Sequence, residues 1–165
     1  MTLVVVDEPP DRPEWIRETV RLRSEDLRSR RRRLLELVAR ASDADLVAGS
    51  DEAWGIGQIA VHLLLVDRGV LGISLRLAAG EDPGATGQPR PSAGAVSRDG
   101  ILSLADKAAA ALRRFEGAFP AAPAVERTAR HPFYGPLNCF GWLLTLANHY
   151  EAHLQAIERG GASAL

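Results

Sequence analysis

His149 and His153 stand four residues apart in the stretch W-L-L-T-L-A-N-H-Y-E-A-H-L-Q-A-I, Trp142 to Ile157. On a helix that spacing stacks the two side chains on one face, which Trp142, Leu146 and Ile157 share, the pattern of a side turned toward a core. Both imidazoles therefore point inward. A buried imidazole needs a partner for each ring nitrogen, and either separate hydrogen bonds or one shared metal ion meets that need. A third histidine, His62, sits in I-A-V-H-L-L-L-V, where an unpaired ring would cost about 1–3 kcal/mol. Three neutral imidazoles and one open position form a common catalytic zinc arrangement. The chain is thus a candidate for a three-histidine metal centre, with core histidines bonded to carbonyls as the alternative. Gln58, one turn before His62, and Thr145, one turn before His149, are candidate hydrogen-bond partners of the ligating rings. Zincin-type peptide hydrolysis is not expected, because Glu151 lies about 200° around the helix from His149.

Long helices must hold these residues. Pro9, Pro10 and Pro13 make residues 1–12 a tail. From Pro13 to Ala41 the residues Ile16, Val20, Leu27, Leu34 and Val38 fall near one face of a first helix. A polar connection holding Gly49 follows, and a second helix starts between Ala53 and Ile56 and runs to Ala79. It is apolar nearly all round, which predicts the most buried element. Residues 80–97 hold four glycines and three prolines, a linker of a length that compact domains rarely leave without a role. Helices of about 23 residues are about 35 Å long, and 18 extended residues reach roughly 60 Å, so this linker can cross the whole bundle. The third helix spans Arg98 or Asp99 to Phe119, with Leu104, Ala105, Ala108, Leu112 and Phe115 on its stripe. Residues 121–136 read as loop, and the fourth helix runs from Leu137 to about Arg159, closed by Gly160-Gly161. The expected fold class is all-α, a single domain over 1–165 forming a four-helix bundle.

Composition bounds the function. The net charge is −1, from 20 Lys plus Arg against 21 Asp plus Glu, so no overall field favours nucleic acid. The arginine run from Arg28 to Arg33 points all round its helix among acids and reads as a solvated face. Cys139 is the only cysteine, so no intramolecular disulfide forms and a reducing cytoplasm is the expected compartment. It stands about 21 Å along the axis from His153, too far to join the cluster, and is expected to pack. The apolar run Leu3 to Val6 gives way to acids and prolines where a signal peptide would continue. No unbroken apolar run approaches the roughly 20 residues of a membrane span. Gly55, Gly57 and Ala60 spell G-x-G-x-x-A, but no predicted strand precedes them, so they read as helix-start residues and not as a dinucleotide loop. His131, beside Pro132, is expected to shape a turn.

In W-G-I-G-Q-I-A-V-H-L at Trp54 to Leu63, H-P-F-Y-G-P-L-N at His131 to Asn138 and the terminal W-L-L-T-L-A-N-H-Y-E-A-H-L-Q-A-I, the chain resembles the DinB-like (YfiT-like) metal-binding four-helix bundles. The resemblance implies an up-down-down-up bundle with its crossover between the second and third helices. It also implies a divalent metal, nickel or zinc, at the positions of His62, His149 and His153. Some members of that family are thiol S-transferases using bacillithiol, mycothiol or glutathione, among them a maleylpyruvate isomerase. The chain ends just after the fourth helix, without the isomerase's additional domain, and isomerase activity is not expected. The expected function is thiol-dependent S-transfer to an electrophilic small molecule by a cytoplasmic homodimer, with a low-molecular-weight thiol such as mycothiol as co-substrate and no nucleic-acid or membrane partner. The alternatives are a metal-dependent hydrolase and a non-enzymatic metal- or small-ligand-binding stress protein.

Overall fold

A computed structural model describes residues 12–160. The elements are α1 (Arg12–Arg40), a short α2 (Asp43–Val47), α3 (Ile56–Ala78), α4 (Arg98–Ala118), the strands β1 (Ala129–His131) and β2 (Gly135–Leu137), and α5 (Cys139–Glu158). The expected tail lies outside the described residues except for Arg12, which begins α1.

The four long helices form an all-α bundle, and their side-chain contacts fix its directions. Arg30 reaches Glu151 and Arg33 reaches Glu158, so α1 and α5 run parallel. Arg98, at the start of α4, donates to the carbonyls of Val38 and Ala41 at the end of α1, so those two helices are antiparallel. Ser74 bonds the Cys139 carbonyl while His62 meets His149, which makes α3 antiparallel to α5. The order is up-down-down-up. Because α3 and α4 run the same way, the chain between Ala78 and Arg98 must return along the bundle's full length.

Local chemistry sets the element ends. Ser42 and Asp45 cap α2 reciprocally, which turns part of the polar connection after α1 into a helix the periodicity did not show. Gly55 caps α3 because the chain before it passes so close that a Cβ there would lie 1.6 Å from the Ala48 carbonyl oxygen. Residues 121–136, expected to be loop, contribute to a two-stranded hairpin in which Ala129 pairs with Leu137 and His131 with Gly135. Gly135, at φ 74°, supplies the left-handed residue that closes its three-residue loop. Three-residue strands are too short for an alternation pattern to register.

The apolar stripe of α1 continues through Ser24 and Arg31, both buried. The arginine run is therefore not a wholly solvated face. Arg31 sits at a core position and donates twice to Asp67 Oδ2, at 3.1 and 2.7 Å. Tyr150 donates to the same oxygen at 2.9 Å. Asp67 and Tyr150 are fully buried, so α1, α3 and α5 are tied together at one level of the core. Arg28, Arg30 and Arg33 form ion pairs with Glu116, Glu151 and Glu158 nearer the surface.

As expected, α3 is the central helix. Averaged over an 18-residue window its mean hydropathy is 1.5, enough by length and composition alone to cross a membrane, although 67% of that window is buried inside the bundle. Its buried face also carries Gln58, His62, Asp67 and Ser74, and each of them finds a partner within the fold.

Removing one member of a buried ion pair strands the other in low dielectric. Asp67→Ala should cost about 3–5 kcal/mol, whereas the double variant Arg31→Met/Asp67→Leu should lose much less. Urea denaturation of the three proteins checks this. A single variant no less stable than the double one would remove Asp67 from its place as the tie among three helices.

Candidate metal centre

His62 projects from α3, and His149 and His153 project from successive turns of α5. His62 and His153 are buried and His149 is half-buried. Each offers one nitrogen to a shared point, and the three nitrogens lie within 4.8 Å of one another. His62 Nε2 and His149 Nε2 are 2.9 Å apart. The ring centroids are separated by 5.0, 5.2 and 4.8 Å. A tetrahedral zinc ion bound at 2.0–2.1 Å sets its nitrogens about 3.3 Å apart, inside the span these rings cover.

The hydrogen bonds fix how His62 is protonated. Its Nδ1 is 2.7 Å from the Pro89 carbonyl oxygen, which can only accept, so Nδ1 carries the proton and Nε2 turns a lone pair toward His149. A carbonyl behind the ring is the usual outer partner of a metal-ligating histidine. His153 Nδ1 is buried without a partner. Burial, together with repulsion from the neighbouring rings, pushes His149 down to about 3 and His153 to about 4. Burial also lowers His62, against the Pro89 hydrogen bond. All three rings are therefore neutral at ordinary pH, and a neutral imidazole has one nitrogen lone pair to give to a shared point. Such a donor set fits a divalent cation and could hold one.

The walls differ on the two sides. Trp54 lies against His62 at 4.9 Å between centroids, and Arg90 sits over the same indole. On the His149 side a cavity of about 170 Å³ opens, lined by His131, Phe133 and Tyr134 of the hairpin and by Thr145, Asn148 and His149 of α5. A larger cavity of about 570 Å³, lined by Arg68, Arg76 and Arg114, lies between α3 and α4 and touches none of the three rings.

The expected partners of the rings are placed differently. Gln58 does not bond His62; its amide nitrogen donates to the carbonyls of Ser50 and Pro91, and its oxygen accepts from Gly55 N. It caps α3 and anchors the linker two residues from Pro89, so it acts on His62 one step removed. Thr145 lines the cavity but donates to its own Trp142 carbonyl, the acceptor a helical threonine meets first. Glu151 pairs with Arg30 and Arg33, away from the rings. Cys139 is buried at the start of α5, where burial raises its thiol pKa. His131 does shape a turn, by accepting from Phe133 N at 3.2 Å, and it also lines the cavity. Its sequence signal was its place within H-P-F-Y-G-P-L-N.

The family model of the DinB superfamily matches residues 26–157. The crystal structure of TT2238, a four-helix bundle protein, is similar over 85% of this chain and 98% of that one, with 28% identity and a TM-score of 0.65. No curated protein matches the chain.

The depressed imidazoles set a pH dependence. From about pH 6.5 downward the unfolded chain takes up protons that buried His149 and His153 refuse until about 3 and 4. Stability of the metal-free protein is thus fully present above pH 6.5 and declines through that window. Thermal unfolding at pH 7, 6 and 5 should show a falling midpoint, with a shallower fall in His149→Phe/His153→Leu. Equal slopes in both proteins would contradict the burial of neutral rings.

Proposed function

The chain belongs to the DinB superfamily, and on that premise we propose that it is a metal-dependent enzyme joining a low-molecular-weight thiol to an electrophilic small molecule. The observation that carries this reading is a cluster of three neutral imidazoles, closed by the Pro89 carbonyl and Trp54 on one side and open to a small cavity on the other. His62, His149 and His153 would hold zinc or nickel. A bound divalent cation supplies one thing: it makes a coordinating thiol lose its proton at neutral pH and so become a nucleophile.

The chain's own residues do the rest. The linker carbonyl of Pro89 holds His62 in the tautomer whose Nε2 faces inward. The bundle core around His62 and His153 excludes water from the closed side. The cavity against His149 leaves room for a small substrate. A coordinated thiolate needs no further base, which suits a cavity that no carboxylate lines, with Glu151 committed to arginines of α1.

Metal analysis of the purified protein should find about one zinc or nickel per chain, and a folded His62→Ala/His149→Ala/His153→Ala variant should hold none. Calorimetric titration of the metal-loaded protein with a small thiol should then give saturable heat and release of a proton. Equal metal in variant and wild type would defeat the site. Metal without thiol binding would defeat the transferase reading and favour hydrolysis or simple ligand storage.

A further inference from the structure

His131 is the fourth histidine of the chain, and the metal cluster does not use it. It ends β1, is 5% exposed, and is held between Trp142 and Tyr134, with ring centroids 4.8 and 4.9 Å away. Its Nδ1 accepts the Phe133 amide proton at 3.2 Å. Burial lowers its pKa, so the ring is neutral, and a neutral ring that accepts at Nδ1 carries its proton on Nε2. Among the described residues no protein acceptor meets that Nε2–H, and the atom is not sealed from solvent as His153 Nδ1 is. A fixed, nearly buried donor with no protein partner is free to meet an acceptor that enters the cavity in place of water. The ring lines the same cavity of about 170 Å³ as His149.

The same hairpin leaves two large aromatic rings uncovered at the cavity's edge, Phe133 at 72% and Tyr134 at 59% exposure. Aromatic faces so placed suit a flat apolar body. The volume is below the roughly 300 Å³ at which drug-sized pockets begin, so the ligand is of fragment size.

We propose that His131 is a substrate-binding residue whose Nε2–H donates to an oxygen of a small aryl compound lying against Phe133 and Tyr134, beside the metal position. The proposal names the substrate class of the cavity and rests on the reading of that cavity as the substrate site. Asn148 lines it from α5 and offers a second polar contact.

Acetophenone, a flat ring with one acceptor oxygen, and ethylbenzene, the same shape without it, are the probes. Titrated into the zinc-loaded full chain, acetophenone should bind about three- to tenfold more tightly, the range one hydrogen bond supplies. The preference should vanish in His131→Phe, which keeps an aromatic ring between Trp142 and Tyr134, and persist in part in His131→Gln. On protein labelled with ¹⁵N-histidine, the His131 Nε2–H resonance should move with acetophenone and stay with ethylbenzene. Equal binding of the two probes, an unmoved resonance, or a preference retained in His131→Phe overturns the proposal. If His131→Phe does not fold, the resonance in the wild-type protein decides. Neither probe nor readout involves a thiol, so failure of thiol binding strikes the transferase reading alone.

Discussion

A carboxylate with no exposure to water has to be answered where it stands, and Asp67 is answered from two other helices at once. Arg31 of α1 and Tyr150 of α5 converge on its Oδ2. Unlike apolar packing, which tolerates sliding, this contact has one register. A slip of one residue moves a helical side chain about 1.5 Å along the axis and about 100° around it, enough to leave a buried charge unpaired. Tyr150 is next to His149 and Asp67 is five residues from His62. The tie that sets α3 against α5 therefore also sets the distance between the rings, and the histidine cluster depends on a polar contact that does no chemistry.

The crossover is the second constraint. Parallel α3 and α4 oblige the chain to climb back along the bundle, and a segment of that length needs fixed points. Gln58 holds the Pro91 carbonyl and His62 holds the Pro89 carbonyl, two contacts that pin the linker against the start of α3. The exchange is mutual. The linker gains order, and His62 gains the acceptor that decides which of its nitrogens faces His149. A histidine on the most apolar helix is thus satisfied by the least regular part of the fold, because only backbone free of helix hydrogen bonds has a carbonyl to give.

The four long helices were legible from periodicity, and so was the inward face shared by His149 and His153, because i, i+4 spacing is geometry a sequence carries directly. Their meeting with His62 was legible only as a possibility, since nothing in one helix states its rotation against another. Arg31 was hidden by its neighbours: in a run of arginines, the one at the core position looks like the rest. It could have been found by extending the stripe of Ile16, Val20, Leu27, Leu34 and Val38 through positions 24 and 31. Pro89 could not have been found, because its contribution is a main-chain oxygen, which every residue owns. Gln58 was singled out for the right neighbourhood and the wrong contact. A glutamine three residues after a helix cap has a backbone amide within reach before it has a ring.

The asymmetry of the site follows from which element closes each side. His62 and His153 lie among residues of helices that cannot move without breaking the core, and the outer wall of His62 is Trp54 and the pinned linker. His149 alone is half-buried, and what faces it is a hairpin of three-residue strands whose tip carries exposed Phe133 and Tyr134. The base of that hairpin is held to α5 by the Trp142 Nε1–H donating to the Ala129 carbonyl and by the Trp142–His131 contact, whereas Phe133 and Tyr134 at its tip are exposed and can change without disturbing the bundle. The histidine cluster and the wall of its cavity thus fall to different parts of the chain. The helices fix the three nitrogens, and the hairpin's His131, Phe133 and Tyr134 line the cavity beside His149. A bundle built this way can keep its donor set while the hairpin tip changes, because exposed Phe133 and Tyr134 contribute little to the packing that holds the rings.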